Sequence, residues 1–501
     1  MDKKTQSPVY LAVDLGAGSG RVIAGILENG RLRLEEIHRF ANDGVHLVDT
    51  WTWNTTGLFA NILVGLKKAG DRFGDAVRSL GVDTWGVDYG LVDERGDLLG
   101  LPAQYRDGRT EGMMEKAFEK MPAEELYAAT GNQFMFYNTV FQLLAEQERN
   151  PGRLDAAAGL LWMPDLLSYW LSGTRANEAT IASTAQLVNA ATGDWAWDVI
   201  ERLGLPKKLF GDITSPGTVL GPLLPQIAEQ TGLNAKVVAV GGHDTASAVA
   251  AVPAREANSV YLSSGTWSLL GVVSPQAVIN AKSFDLAFTN EGGVGGDIRL
   301  LKILCGLWLI QECKRDWDED FGEVDWDTLI QEAADAPAFV SLVDPDDPRF
   351  AAPGNMPARL EDWCRETGQP VPNTRGAMAR MIFESLALKY RVVFDKLADL
   401  VGHDLGTFHI VGGGGRNALL NQFAADALNR TVVAGPVEAT AAGNILMQLV
   451  ADGAVEDLPA GKELIRNSFD VQTFAPMAPS AWEAVLPRFQ SLCKSSAGGS
   501  D

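Results

Sequence analysis

Apolar residues along the chain gather in short runs that end in glycine-rich or acidic turns, the pattern of buried strands feeding loops. Val9 to Asp14 is the first such run, and Gly16-Ala17-Gly18-Ser19-Gly20-Arg21 follows it. Val22 to Leu27 is again apolar, with Gly25 inside it, and leads into Glu28-Asn29-Gly30 and the alternating Arg31-Leu32-Arg33-Leu34. Asn-Gly between two such runs predicts a tight hairpin. The first glycine loop therefore joins two strands, not a strand and a helix.

The same punctuation recurs. Ser79 to Asp83 reads as a strand, Thr84 to Asp88 as a loop, Tyr89 to Val92 as a strand and Asp93 to Asp97 as a turn. Val237 to Val240 predicts a buried strand, then a Gly241-Gly242-His243-Asp244-Thr245 loop and a small-residue helix over Ala246 to Val252. Ser259 to Leu262, a turn through Gly265 and Thr266, and Leu269 to Val273 echo the opening hairpin, which suggests a duplicated architecture. A long helix over Ala377 to Leu400 precedes strand Thr407 to Val411, a Gly412 to Gly415 run and a helix over Asn417 to Leu428. Strand Thr431 to Val433 and helix Glu438 to Leu449 complete an alternating α/β pattern.

A chain of 501 residues is too long for one ordinary core. Two domains follow, with a boundary near residues 245–255: an N-terminal domain over 1–248 and a C-terminal domain over 249–480. Residues 481–501 predict a last helix and a disordered tail beyond about Ser495.

Composition narrows the class. Charged residues make up 21% and the hydrophobic set 46%, as in soluble globular chains. A formal net charge of −22 argues against broad binding to nucleic acid or anionic membranes. It leaves a nucleotide ligand open, because backbone N–H groups and a metal ion hold phosphates locally. No apolar stretch is long enough for a membrane span, and the opening Met1 to Pro8 lacks the form of a signal peptide. Cys305, Cys313, Cys364 and Cys493 have no metal-ligand spacing and no disulfide pattern, which fits a reducing cytoplasm.

Three motifs carry candidate chemistry, each beside a plainer alternative. The loop from Asp14 to Arg21 lacks the Gly-Lys-Ser/Thr ending of a P-loop. It resembles the cofactor loop of methyltransferases that use S-adenosylmethionine, but that loop needs a helix next, and a hairpin follows here. It is also compatible with a simple tight turn, or with a hairpin whose backbone wraps a triphosphate while Asp14 faces a magnesium ion. Asp244 is a helix-capping residue or a general base for an attacking hydroxyl. Gly412 to Gly415 is a helix-entry loop or a surface for a flat base. Trp85 and Trp267 are core residues or sugar-stacking surfaces, and His38, His46, His403 and His409 form no cluster.

Taken in order, these motifs resemble the FGGY carbohydrate kinases over nearly the whole chain. The resemblance runs from Val13-Asp14-Leu15-Gly16-Ala17 through Gly81 to Asp88, Tyr105 to Thr110, Met163-Pro164-Asp165 and His243 to Ala248. It continues through Leu262 to Ser268, Asn290-Glu291-Gly292-Gly293, Gly306-Leu307-Trp308-Leu309 and Ile410 to Gly414. It implies two ribonuclease-H-like, actin-like ATPase domains flanking an interdomain catalytic cleft. It also implies transfer of the ATP γ-phosphate to O1 of a ketose, L-rhamnulose in the branch these motifs follow.

Carried over by position, Asp244 is the base, and Gly86, His243, Asp244 and Thr245 are sugar contacts. Ala17, Gly18, Ser19, Gly20, Arg21, Thr266, Gln311 and Gly413 lie on the ATP side, and Asp14 helps to hold Mg2+. One position departs. That branch reads Leu-Lys-Asn after the Asn-Glu-Gly-Gly turn, with the asparagine on the sugar, whereas this chain reads Leu301-Lys302-Ile303. Isoleucine cannot supply an amide's hydrogen bonds. An unpaired buried hydroxyl costs about 1–3 kcal/mol, enough to reorder close ketoses such as L-fuculose. Two other classes compete: a methyltransferase, and a non-catalytic actin-like sugar sensor, for which no DNA-reading helix-turn-helix is evident before the first strand.

Overall fold

The computed structural model describes residues 7–497. Its chain divides into two compact units that are not contiguous in sequence. The first comprises Met1–Pro253, Val273–Leu300 and Glu438–Asp470, and the second Ala254–Val272, Leu301–Val437 and Val471–Asp501. Expected tail residues 498–501 lie outside the described residues, and the last helix, Pro479–Ala497, runs past Ser495.

In the first unit, β1 (Val9–Leu15) is buried at every position, as a central strand covered on both faces must be. It pairs antiparallel with β2 (Ser19–Glu28), which pairs antiparallel with β3 (Arg31–Ala41). The expected turn is there: Asn29 and Gly30 both take positive φ, 51° and 71°, which suits the twist of a two-residue hairpin. On its other side β1 runs parallel to β4 (Val77–Thr84). Next come β5 (Thr218–Pro222) and β6 (Lys236–Ala239), giving the order β5-β6-β4-β1-β2-β3.

Three helices of this unit matter for the site: α1 (Thr55–Phe73), α2 (Asp244–Ala250) and α3 (Ala439–Ala451). α1 packs on β2 and β3, and α3 packs on β1, β4 and α2. Gly443 allows the last contact, since a Cβ there would lie 1.7 Å from the Ser247 carbonyl oxygen. Buried amides fix α3 to the sheet. Gln448 donates to the Leu11 carbonyl (2.9 Å) and accepts from Ser79 (2.8 Å), and Asn444 donates to the Gly81 carbonyl (3.2 Å). Tyr89–Val92, predicted as a strand, does not join this sheet; it pairs with Gly159–Trp162 in a separate two-stranded ribbon.

The second unit repeats the plan. β7 (Val260–Ser264) pairs antiparallel with β8 (Trp267–Ser274), and β9 (Ile298–Cys305) lies beyond β8. On its other side β7 runs parallel to β10 (Phe408–Val411), which runs parallel to β11 (Val432–Ala434). β12 (Gln472–Phe474) is antiparallel at the edge. Six strands of this seven-stranded sheet, in the order β12-β11-β10-β7-β8-β9, match the first sheet position for position, and Thr289–Gly292 adds a seventh beyond β9. The duplication suggested by the two hairpins is thus present in the strand order. The long predicted helix spans Arg375–Val401 and the next Ala418–Leu428, capped by the Asn417 side chain on the Leu420 N–H.

Candidate active site

β1 ends where the glycine hairpin begins. The Gly16 N–H donates to the Ser19 carbonyl at 2.9 Å and closes a turn whose tip, Ala17 and Gly18, is exposed. Asn42 braces the turn, donating through its side chain to the Gly16 carbonyl (2.8 Å). A Cβ on Gly18 would meet nothing within 4 Å, whereas one on Gly20 would strike Phe40 at 2.4 Å. The hairpin thus presents open backbone above a packed base. Below it, Asp14 pairs in register with Arg21, whose guanidinium bridges the Asp14 and Glu438 carboxylates.

Asp14 is also in register with Asp83 at the end of β4. Asp83 is fully buried; its Oδ2 accepts from Asn444 at 2.6 Å, and its Oδ1 has no partner. Burial is the largest cause that pushes the Asp83 carboxyl well above the usual carboxylate range, with repulsion from Asp14 and Asp244 added. Asp14 is raised as well: burial, with Asp244 and Glu438 nearby, outweighs the lowering pull of Arg21. The Arg21 guanidinium is raised too: burial lowers it, but its Asp14 and Glu438 carboxylates outweigh that. Three acids from three chain segments therefore repel one another at one end of the sheet. Among the described residues no group of three or more His, Cys, Asp or Glu side chains forms a direct metal-binding cluster. The donor set instead fits a Mg2+ that keeps most of its waters and takes one or two carboxylates plus phosphate oxygens. The unpartnered Asp83 Oδ1 is the atom such an ion would satisfy.

Gly242 and His243 continue from β6, held at both sides. The Thr84 N–H donates to the Gly242 carbonyl (2.9 Å), while Gly242 N–H and His243 N–H donate to Glu178 (2.9 Å) and Thr180 (3.2 Å). α2 starts at Asp244 rather than Ala246, and His243 occupies the cap position without a side-chain cap bond. Asp244 is therefore not the helix cap. Its half-buried carboxylate accepts instead from its neighbour Thr245 Oγ1, at 3.1 Å on Oδ1.

The loop after β4 turns on Gly86 and on Val87, which has a φ of 68°. Its anchor is Asp88, a fully buried carboxylate. Asp88 Oδ2 accepts from Trp53 Nε1 (2.6 Å), Trp85 Nε1 (2.9 Å) and Tyr105 N (3.2 Å). Asp88 Oδ1 accepts from Gln142 Nε2 (2.9 Å), and Arg109 donates to the oxygen of that same amide (2.6 Å). Burial nevertheless raises the Asp88 carboxyl to about 6, against the lowering effect of these donors. Trp85 is a core residue: it is buried, with its ring centroid 4.1 Å from that of Trp53.

Within the second unit, the turn between β7 and β8 brings Thr266 to Gln311, whose side-chain oxygen accepts from Thr266 Oγ1 at 3.0 Å. The Gly413 turn packs on the same strand end, since a Cβ on Gly414 would lie 2.0 Å from Ser264 Oγ. Gly413 itself is exposed. Ile303 lies on β9 and is half-buried.

Sequence reasoning named Asp14, the hairpin, His243 and Asp244, which the first unit gathers. It named Thr266 and Gln311, which the second unit joins. It did not single out Asp83, Asp88 or Glu438, which the first unit places beside these residues. Asp83 had a usable signal: like Asp14 it closes an apolar run, and two acids ending neighbouring parallel strands must face the same end of the sheet.

Comparison with known proteins shows the family. Residues 9–251 match the N-terminal domain of the FGGY family of carbohydrate kinases, and residues 260–451 match its C-terminal domain. A rhamnulokinase of Bacteroides thetaiotaomicron is 46% identical over 486 residues, covering 97% of this chain and 99% of its own. One of Oceanobacillus iheyensis is 43% identical over 465 residues, 93% and 98% of the two chains. Among solved structures, a xylulose kinase from Lactobacillus acidophilus superposes with a TM-score of 0.81 at 14% identity, covering 98% and 99% of the two chains. Glycerol kinase of Plasmodium falciparum with ADP gives 0.77 at 15% identity and 98% coverage of each. The two-domain, actin-like α/β architecture follows from these, and nothing supports a methyltransferase. The two family matches together span most of the sequence, and the relatives align over nearly all of it: the chain belongs to the FGGY family of carbohydrate kinases.

Proposed function

We propose that this kinase transfers the γ-phosphate of ATP to O1 of L-rhamnulose, giving L-rhamnulose 1-phosphate and ADP. The observation that carries the reading is the near-full-length identity to proteins named rhamnulokinase, 41–46% across eight relatives. Asp244 takes the proton from O1–H as O1 attacks the γ-phosphorus and the bond to the β-bridging oxygen breaks. Its half-buried place at the start of α2, at the same end of the sheet as Asp14 and Asp83, supports that role.

Gly86, His243 and Thr245 contact the ketose with Asp244. The backbone of Ala17, Gly18, Ser19 and Gly20 and the Arg21 side chain hold the phosphates, and Thr266, Gln311 and Gly413 contact the rest of the nucleotide. Asp14 and Asp83 hold the Mg2+, which when bound neutralises phosphate charge. In domain terms, residues 1–248 bind sugar and 249–480 bind nucleotide, with 481–501 as a terminal appendage. A cytoplasmic location fits the four free cysteines. Among the described residues no helix is long and apolar enough to cross a membrane.

Ile303 favours a second substrate reading, a related deoxyketose such as L-fuculose. A coupled ADP-release assay across L-rhamnulose, L-fuculose, L-ribulose and D-xylulose tests both. The highest kcat/KM on L-rhamnulose supports the first, and the highest on another ketose overturns it.

A further inference from the structure

His243 is buried and its two ring nitrogens face different partners. Arg299 Nη2 hydrogen-bonds Nδ1 at 3.1 Å, and Asp244 Oδ1 lies 3.5 Å from Nε2. Glu291 Oε2 stands 3.2 Å from Nδ1 and 3.0 Å from Arg299 Nη2, and Arg299 Nε donates to the Gly292 carbonyl at 2.9 Å. Arg299 and Glu291 are both deeply buried. A guanidinium only donates, and Glu291 Oε2, although close to Nδ1, makes no hydrogen bond. The Arg299 contact therefore calls for the imidazole lone pair on Nδ1 and its proton on Nε2. The opposite tautomer would turn the Nδ1 proton towards an arginine donor and the Nε2 lone pair towards the Asp244 carboxylate.

The consequence reaches the base. With the proton on Nε2, His243 presents N–H polarity to Asp244 Oδ1, the same oxygen that accepts from Thr245 Oγ1. The two oxygens of Asp244 are then unequal. We propose that Arg299, steadied by Glu291, is a positioning residue that fixes the Nε2–H tautomer of His243. Oδ1 is thereby occupied, and Oδ2 is the oxygen that receives the sugar proton. The proposal rests on Asp244 being the base.

Nitrogen NMR of the full-length protein, labelled with 15N-histidine and assigned with His243→Gln, reads the tautomer directly. The expected spectrum has His243 protonated on Nε2 and bare on Nδ1; an Nδ1–H tautomer or a doubly protonated ring at pH 7.5 overturns the proposal. Arg299→Met is expected to move the proton to Nδ1 and lower kcat about 10- to 100-fold, with ketose KM changed less than about threefold. Unchanged kcat with the tautomer retained also overturns it. Arg299→Met leaves Glu291 as a buried unpaired charge, so Arg299→Met with Glu291→Gln repeats the test in a charge-balanced protein. If Asp244→Asn keeps its turnover, the base assignment fails whatever the spectrum. If that variant is dead but the tautomer is wrong, only the role of Arg299 fails.

Discussion

Asp14 and Asp83 sit side by side on neighbouring parallel strands, in register, with both carboxyls held above the usual carboxylate range. A folded protein tolerates two such groups at a strand end when a ligand recovers their cost, as the proposed Mg2+ would.

That relationship fixes a pH effect. A carboxyl whose folded pKa lies above its unfolded value adds stability that is complete below the unfolded pKa and is lost as pH rises through the folded one. The ligand-free protein should therefore lose thermal stability as pH rises above about 4, and Asp83→Asn should flatten that decline. Melting temperatures across pH 4 to 8 in wild type and variant check this; parallel curves would mean that Asp83 is not a strained acid.

Asp88 predicts a different signature. Its Oδ2 already accepts three N–H donors, so a proton must go on Oδ1, facing the Gln142 amide nitrogen. As pH falls through about 6, where Asp88 titrates, the loop carrying Gly86 loses its anchor. Ketose KM should rise several-fold below that pH while ATP KM stays level. In Asp88→Asn the ketose KM should be raised at every pH and no longer follow pH. An equal rise in both KM values would argue against a loop-specific role.

Much of this was legible in sequence, for a local reason. Asn29-Gly30 fixed a hairpin within a few residues, and that alone separated a strand-to-strand loop from a strand-to-helix cofactor loop. His243-Asp244 stood out because a glycine pair and a small-residue helix bracket it. Partners far apart in the chain were not legible. Asn444 reaches Asp83 across 361 positions, and Arg299 reaches His243 across 56. Nor does the periodicity of α3 reveal that it returns to the first unit's sheet, which is why the compact units are discontinuous where the sequence suggested one break.

Ile303 tests substrate choice. If the position contacts the sugar, Ile303→Asn should raise kcat/KM for L-rhamnulose relative to L-fuculose by about 10-fold, the worth of one buried hydrogen bond. An unchanged ratio across the ketose panel would remove Ile303 from the sugar site.

The central claim is that Asp244 deprotonates the sugar hydroxyl, and Asp244→Asn tests it most directly. The account predicts that sugar-dependent ADP release falls by about 10²- to 10⁴-fold, with Mg-ATP affinity by calorimetry within about twofold of wild type. Turnover retained within tenfold of wild type would contradict it.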